Sequence, residues 1–126
     1  MNKLKKEVAQ WLKEKYSMSD FNSYQRSATK TAVYPPEHKI LYPALGLAGE
    51  AGEVANKVKK VMRDGVENQP DNWKEQIASE IGDVLWYCAA LATDLNMQLG
   101  MIAALNEKKL RDRFDRGKLN GSGDNR

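Results

Sequence analysis

The chain has 126 residues, of which 41% are hydrophobic and 29% are charged, and its net charge is +3. These values are typical of one ordinary globular domain, so residues 1–126 are expected to form a single domain. No run of about 18 apolar residues is present, which argues against a membrane span. Aromatic and basic residues do not alternate, so neither nucleic acid nor a membrane is expected as a partner.

Cys88 is the only cysteine, so an intramolecular disulfide is impossible and a reducing compartment is expected. The residue lies in an apolar segment, and packing inside the protein is its expected role rather than that of a nucleophile. The first residues lack the apolar segment of a signal peptide. A cytoplasmic location is therefore predicted.

Apolar residues at helical spacing predict the first two helices. An extra N-terminal element, residues 1–17, would contain a helix over about 3–16, with an apolar face formed by Leu4, Val8, Trp11 and Leu12, which Tyr16 would extend. This helix would pack on the rest of the protein or on a second subunit. After a break, Ser19 or Asp20 would cap a second helix that runs to about Thr31.

The remaining helices follow a pair of prolines, Pro35 and Pro36, which end the second helical region. We predict helices over about 43–63, 73–95 and 97–113, with Pro43 in the first turn and Asn96 as the cap of the last. From residue 116 a Gly-rich tail begins, which cannot form a core element. No segment alternates with period two, so the predicted fold is all-α, a bundle of four to five helices.

A short acidic pattern occurs twice, at an offset of 30 residues. Glu-Ala-Gly-Glu-Val at 50–54 matches Glu-Ile-Gly-Asp-Val at 80–84. At about 100° per residue, each acidic pair lies on the shoulder of an apolar stripe. If the two helices pack antiparallel through these stripes, the carboxylates of Glu50, Glu53, Glu80 and Asp83 converge.

Four converging carboxylates repel one another and need compensation, for which a divalent cation is the simplest source. Their hard oxygen atoms suit Mg²⁺, with Mn²⁺ as a substitute. Carboxylates on a solvated surface are the alternative. Gly52 and Gly82 fall on the opposite side of their helices, where close backbone contact with another helix is the simplest expectation.

A basic face on the last helix flanks its apolar residues in the same way. It consists of Asn106, Lys109 and Arg113. Lys and Arg bind phosphate oxygens that a metal leaves uncovered, so this face suits a polyphosphate. A solvated basic helix end, favourable to the helix dipole, explains the pattern equally well.

The segments 45–54 and 80–87, with the Asn106-x-x-Lys109-x-x-x-Arg113 pattern, resemble the MazG-like nucleotide pyrophosphohydrolases of the all-α NTP pyrophosphatase superfamily. The similarity covers about residues 20–126 and suggests a short, single-domain member. It implies a helical bundle that assembles as a homo-oligomer, a dimer or a dimer of dimers (homotetramer). It also implies a hydrolase that converts a (deoxy)nucleoside triphosphate to the monophosphate and pyrophosphate, with a purine such as GTP or dGTP as one expected substrate.

The resulting hypothesis assigns roles to individual residues. The four acids would hold Mg²⁺, and Glu50 or Glu53 would orient or deprotonate the attacking water. Lys57, Asn106, Lys109 and Arg113 would contact phosphates. Tyr24 or Tyr87 would stack on the base and Gln25 would read its edge, although core or surface placement explains each of these three as well.

Two rival functions remain open. One is stepwise phosphate release through the nucleoside diphosphate, and the other is a non-catalytic helical module for oligomerisation or interaction. A di-iron carboxylate bundle is disfavoured, because it needs Glu-x-x-His pairs and the single histidine, His38, lies outside both acidic motifs.

Overall fold

The computed structural model describes residues 2–15 and 20–125. Five α-helices are present in this part of the chain: α1 (Lys3–Lys15), α2 (Phe21–Ala28), α3 (Leu41–Asp64), α4 (Trp73–Asp94) and α5 (Leu99–Asp115). Short 3-10 turns occur at Thr29–Thr31, Pro36–His38 and Val66–Asn68. No strand occurs among the described residues, so the predicted all-α fold is confirmed for them.

The N-terminal helix α1 exposes both apolar side chains that are described for it, Leu4 and Val8. The predicted break and the residue Tyr16 lie at positions 16–19, outside the described residues, as do the side chains of Trp11 and Leu12. Asp20 caps α2 as predicted, because its Oδ1 accepts a hydrogen bond of 2.6 Å from the backbone N–H of Ser23.

Helices α3 and α4 form the main pair, and α2 packs on α4 and α5. The short connection between α3 and α4 makes them antiparallel neighbours. Among the described residues, the core is small and consists mainly of alanines, with Ala28, Ala89, Ala92 and Leu99 buried and Tyr24, Trp86 and Cys88 packed against them. Burial raises the pKa of the Cys88 thiol, in keeping with its predicted packing role.

The connection from α4 to α5 departs from the prediction that Asn96 caps α5. Asn96 has φ 56°, and the N–H groups of Asn96 and Met97 donate to the carbonyls of Thr93 and Ala92. This is the Schellman arrangement that ends a helix, so Asn96 closes α4. Helix α5 begins two residues later than predicted and leaves α4 at a bend of 103°.

None of the described helices is by itself long and apolar enough to cross a bilayer, although α4 and α5 pass that test as a bent pair.

Candidate metal centre between the third and fourth helices

The two acidic motifs meet where α3 packs on α4. One carboxylate oxygen from each of Glu50, Glu80 and Asp83 lies within 4.8 Å of the others. Glu50 and Glu80 are half-buried and Asp83 is exposed. The antiparallel packing predicted from the repeated motif therefore brings three of the four predicted ligands together.

Electrostatics within this group favour a cation. The pKa of Glu50 is raised above its ordinary value, first by its removal from water and then by the negative charges of Asp83 and Glu80. A bound cation would lower the pKa of Glu50 again, because its positive charge stabilises the ionised carboxylate. The donor set, three carboxylates with hard oxygen atoms, fits Mg²⁺ or Mn²⁺.

Glu53 lies one turn beyond Glu50 on α3 and is exposed. It is not part of the three-residue group whose oxygens lie within 4.8 Å. Its charge nevertheless contributes to the raised pKa of Glu50, so it lies close enough to act electrostatically on the cluster. It lies at the edge of the site rather than in its centre.

Lys57 extends from the next turn of α3 towards α4. Its Nζ lies 3.5 Å from Oε1 of Glu80, and both side chains are at least two-thirds buried. A lysine at this position offsets part of the negative charge, and its ammonium group stays near the place where an anionic ligand of the cluster would bind. Of the predicted phosphate contacts, Lys57 is the one that the structure brings to the carboxylates.

Tyr87 forms one wall of the site. A cavity of about 330 Å³ is lined by Glu50, Asp83, Trp86 and Tyr87. The pKa of the Tyr87 hydroxyl is raised, chiefly by burial and then by Tyr42, with smaller contributions from Glu50 and Asp83. Tyr87 is thus the predicted base-binding residue that lies beside the carboxylates.

Gly46 was missed by the sequence analysis, although it makes room for this wall. A side chain at Gly46 would overlap the Tyr87 ring, which crosses α3 at that point. Gly52 and Gly82, which we expected at a helix contact, have no atom of the described residues within 4 Å of the point where a methyl group would project, so they make no close backbone contact with that part of the chain. The contact between Gly46 and Tyr87 could have been predicted from the register of α3 and α4. In an antiparallel pair in which Glu50 meets Asp83, the residue four before Glu50 faces the residue four after Asp83.

The residues of the basic face on α5 lie away from the carboxylates, two of them in a separate hollow and one against the C-terminal tail. Asn106 and Lys109 are exposed and line a separate hollow of about 360 Å³ with Met97, Ile102 and Leu105. Arg113 is 5% exposed, and its Nη2 donates a hydrogen bond of 2.5 Å to the backbone carbonyl of Asp124 in the tail. Within this chain, α5 does not deliver them to the carboxylates.

Gln25 and Tyr24 belong to the core beneath α5. The Nε2 of Gln25 donates to Thr93 Oγ1 and to the carbonyl of Met97, each at 2.9 Å, and its Oε1 accepts from Leu99 N–H at 2.8 Å. Gln25 therefore joins α2 to the start of α5, and its amide is occupied there rather than open to a base. Tyr24 packs against the alanine-rich core.

Comparison with known proteins agrees with this geometry. The sequence profile of the MazG nucleotide pyrophosphohydrolase domain matches residues 39–116, which include both acidic motifs. The chain is also similar to the Gene 37 protein of Mycobacterium phage L5, with 45% identity over 111 residues, 82% of this chain and 96% of that protein. No solved structure matches it significantly. The chain belongs to the MazG nucleotide pyrophosphohydrolase family.

Proposed function

We propose that this chain is a Mg²⁺-dependent nucleoside triphosphate pyrophosphohydrolase that releases a (deoxy)nucleoside monophosphate and pyrophosphate. The observation that carries the proposal is the convergence of Glu50, Glu80 and Asp83, whose oxygens lie within 4.8 Å of one another. Membership of the MazG family supports the nucleotide as the substrate class. A purine such as GTP or dGTP is the first substrate to test.

The three clustered carboxylates and Glu53 would hold the metal. A bound Mg²⁺ supplies positive charge for phosphate oxygens and increases the acidity of a coordinated water. Glu50 or Glu53 would orient the attacking water and accept its proton. The oxygen of this water would form a bond to the α-phosphorus while the bond from that phosphorus to the α,β-bridging oxygen breaks, so that pyrophosphate would leave.

Phosphate oxygens would be bound by cationic and amide side chains from two sources. Lys57 lies 3.5 Å from Glu80 and would contact them from the same chain. Asn106 and Lys109 line a separate hollow, so they would act on the cluster of a second copy. Arg113 would join them once it is released from Asp124, and Tyr87 would stack on the base, with Tyr24 a remoter candidate.

A homo-oligomer, a dimer or a tetramer, is part of the same proposal. Its support is the amount of apolar surface that a single chain leaves exposed on α3, α4 and α5, at Leu41, Leu45, Met62, Ile81, Met101 and Leu105. Apolar side chains exposed on three helices would be removed from water if a second copy packed against them. The small alanine-rich core makes burial of this surface a substantial source of stability.

The test is a panel of ribo- and deoxyribonucleoside triphosphates, incubated with the purified chain and Mg²⁺ and analysed for products. We expect pyrophosphate and monophosphate in equal amounts, with Mn²⁺ able to replace Mg²⁺ and a chelator abolishing release. Diphosphate as an intermediate would establish stepwise hydrolysis instead. No hydrolysis, together with no Mn²⁺ binding by calorimetry, would favour a non-catalytic helical module.

A further inference from the structure

The C-terminal end of α4 holds the segment that precedes α3. Oδ2 of Asp94 accepts hydrogen bonds from the Tyr34 hydroxyl at 2.8 Å and from the backbone N–H of Ile40 at 2.9 Å. Both donors are more than 50 residues away in the sequence. One carboxylate therefore ties the loop before α3 to the helix that carries Glu80 and Asp83.

The backbone at Ile40 needs such a tie. Its φ of 68° and ψ of −59°, with Leu41 N–H donating to the Lys39 carbonyl at 2.8 Å, define a γ-turn of the rare, strained kind. A β-branched residue with positive φ is a genuine outlier and persists only when its surroundings hold it. The bond from Ile40 to Asp94 supplies that restraint at the residue before the first turn of α3.

A row of aromatic rings leads from Asp94 to the metal centre. Tyr34 stacks on Tyr42 with ring centroids 4.7 Å apart, and Tyr42 lies 6.4 Å from Tyr87 at an interplanar angle of 48°. Tyr87 in turn lines the cavity with Glu50 and Asp83. Offset or tilted rings at these separations attract one another, so the position of one ring restrains the next.

We propose that Asp94 is a positioning residue of the active site: it fixes Tyr34 and Tyr42, and through them it holds the Tyr87 ring beside the carboxylate cluster. This inference rests on the proposed function. Burial and the bond to Asp94 raise the pKa of Tyr34 to about 12, so the Tyr34 hydroxyl keeps its proton, and its bond to Asp94, at any physiological pH.

Two variants of the 126-residue chain test the proposal. Asp94→Asn weakens both bonds, whereas Tyr34→Phe removes a single hydroxyl, keeps the ring stack and tests the idea even if Asp94→Asn does not fold. Both should raise KM about tenfold, since small displacements of a substrate-positioning group are costly. Turnover number and Mn²⁺ affinity should change little, because the carboxylates stay in place. Asp115→Asn, at the exposed end of α5, is the matched control and should behave as wild type.

A double-mutant cycle separates positioning from general stabilisation. In a Tyr87→Leu background, Asp94→Asn and Tyr34→Phe should have no further effect on KM, because the ring that they position is gone. Additive effects in that background, or an unchanged KM in both single variants, would overturn the proposal.

A spectroscopic readout keeps this test independent of the proposed activity. With 3-fluorotyrosine incorporated, the ¹⁹F resonance of Tyr87, assigned from Tyr87→Phe, should shift in Tyr34→Phe and Asp94→Asn but not in Asp115→Asn. If wild type hydrolyses no nucleotide, the proposed function fails by itself. In that case the ¹⁹F spectra alone decide whether Asp94 positions Tyr87. A shifted Tyr87 resonance in Tyr34→Phe and Asp94→Asn supports the link, and an unshifted one contradicts it.

Discussion

The α3–α4 pair and the α5–tail region carry the two halves of the predicted site, and the fold treats them differently. Across α3 and α4, Glu50, Glu80, Asp83 and Lys57 meet. At the end of α5, Arg113 turns to the tail, while Asn106 and Lys109 line a hollow of their own. The short connection makes α3 and α4 antiparallel neighbours, whereas the turn after α4 sends α5 away at 103°.

The largest expected effect is on the α3–α4 side. Glu80→Gln or Asp83→Asn should lower Mg²⁺-dependent pyrophosphate release by about 10²–10³-fold, because each removes a charge that would hold the cation. Circular dichroism should show unchanged helix content. Glu53→Gln should lower pyrophosphate release by a similar factor if Glu53 is also a ligand. Glu107→Gln, on the exposed surface of α5, is the control. Full activity in both Glu80→Gln and Asp83→Asn would remove the metal centre from the mechanism.

The role of α5 is tested by mixing subunits. Lys109→Gln should raise KM about tenfold through loss of a charge-assisted hydrogen bond to phosphate. If Lys109 acts on a second copy, unfolding and refolding a mixture of Lys109→Gln and Asp83→Asn chains should restore hydrolysis at substrate concentrations below the raised KM, since some mixed sites are then complete.

The matched control for this experiment is Lys57→Gln. Lys57 lies beside Glu80 in the same chain, so a mixture of Lys57→Gln and Asp83→Asn leaves every site with one defect and should restore nothing. No recovery in the Lys109 mixture would confine α5 to a structural role or to its own chain.

A smaller effect is expected where α5 meets the tail. Arg113→Gln should lower the free energy of unfolding in urea by roughly 1–3 kcal/mol, the usual range for a buried hydrogen bond to a charged donor. The exposed Arg111→Gln should have almost no effect. Asp124→Asn should also be mild, because Arg113 bonds to the backbone carbonyl of Asp124 and the Asp124 side chain is 96% exposed. A large loss in Asp124→Asn would show that the side-chain ion pair matters instead.

The smallest effect concerns alkaline stability. The pKa of Tyr34 is raised from 10.0 to about 12 in the folded chain, so its contribution to stability is complete below pH 10 and is lost as the pH rises through about 12. Tyr34→Phe should therefore flatten the fall in urea midpoint over this window relative to wild type. An identical fall in the two proteins would assign the alkaline loss to other groups.

Local sequence patterns predicted most helix boundaries to within about two residues, because apolar periodicity, capping and proline act locally. The failures had two causes. Asn96 suits both a helix start and a helix end, so its neighbours do not decide between them. The hydrogen bonds of Gln25 to Thr93, Met97 and Leu99 form between helices that are distant in the sequence. Neighbouring residues do not identify Gly46 or Asp94, since their partners Tyr87, Tyr34 and Ile40 are far away in the chain. Only the antiparallel register of α3 and α4 pairs Gly46 with Tyr87.

By itself the sequence determined the helices, the duplicated acidic motif and the family, because each depends on residue types at fixed short spacings. Only the tertiary structure decided which of the predicted residues meet. The antiparallel packing of α3 on α4 placed three carboxylates within 4.8 Å, and the turn at Asn96 directed α5 and its cations elsewhere. Distances between helices depend on packing and on the geometry of connecting turns, and spacing along one helix does not contain that information.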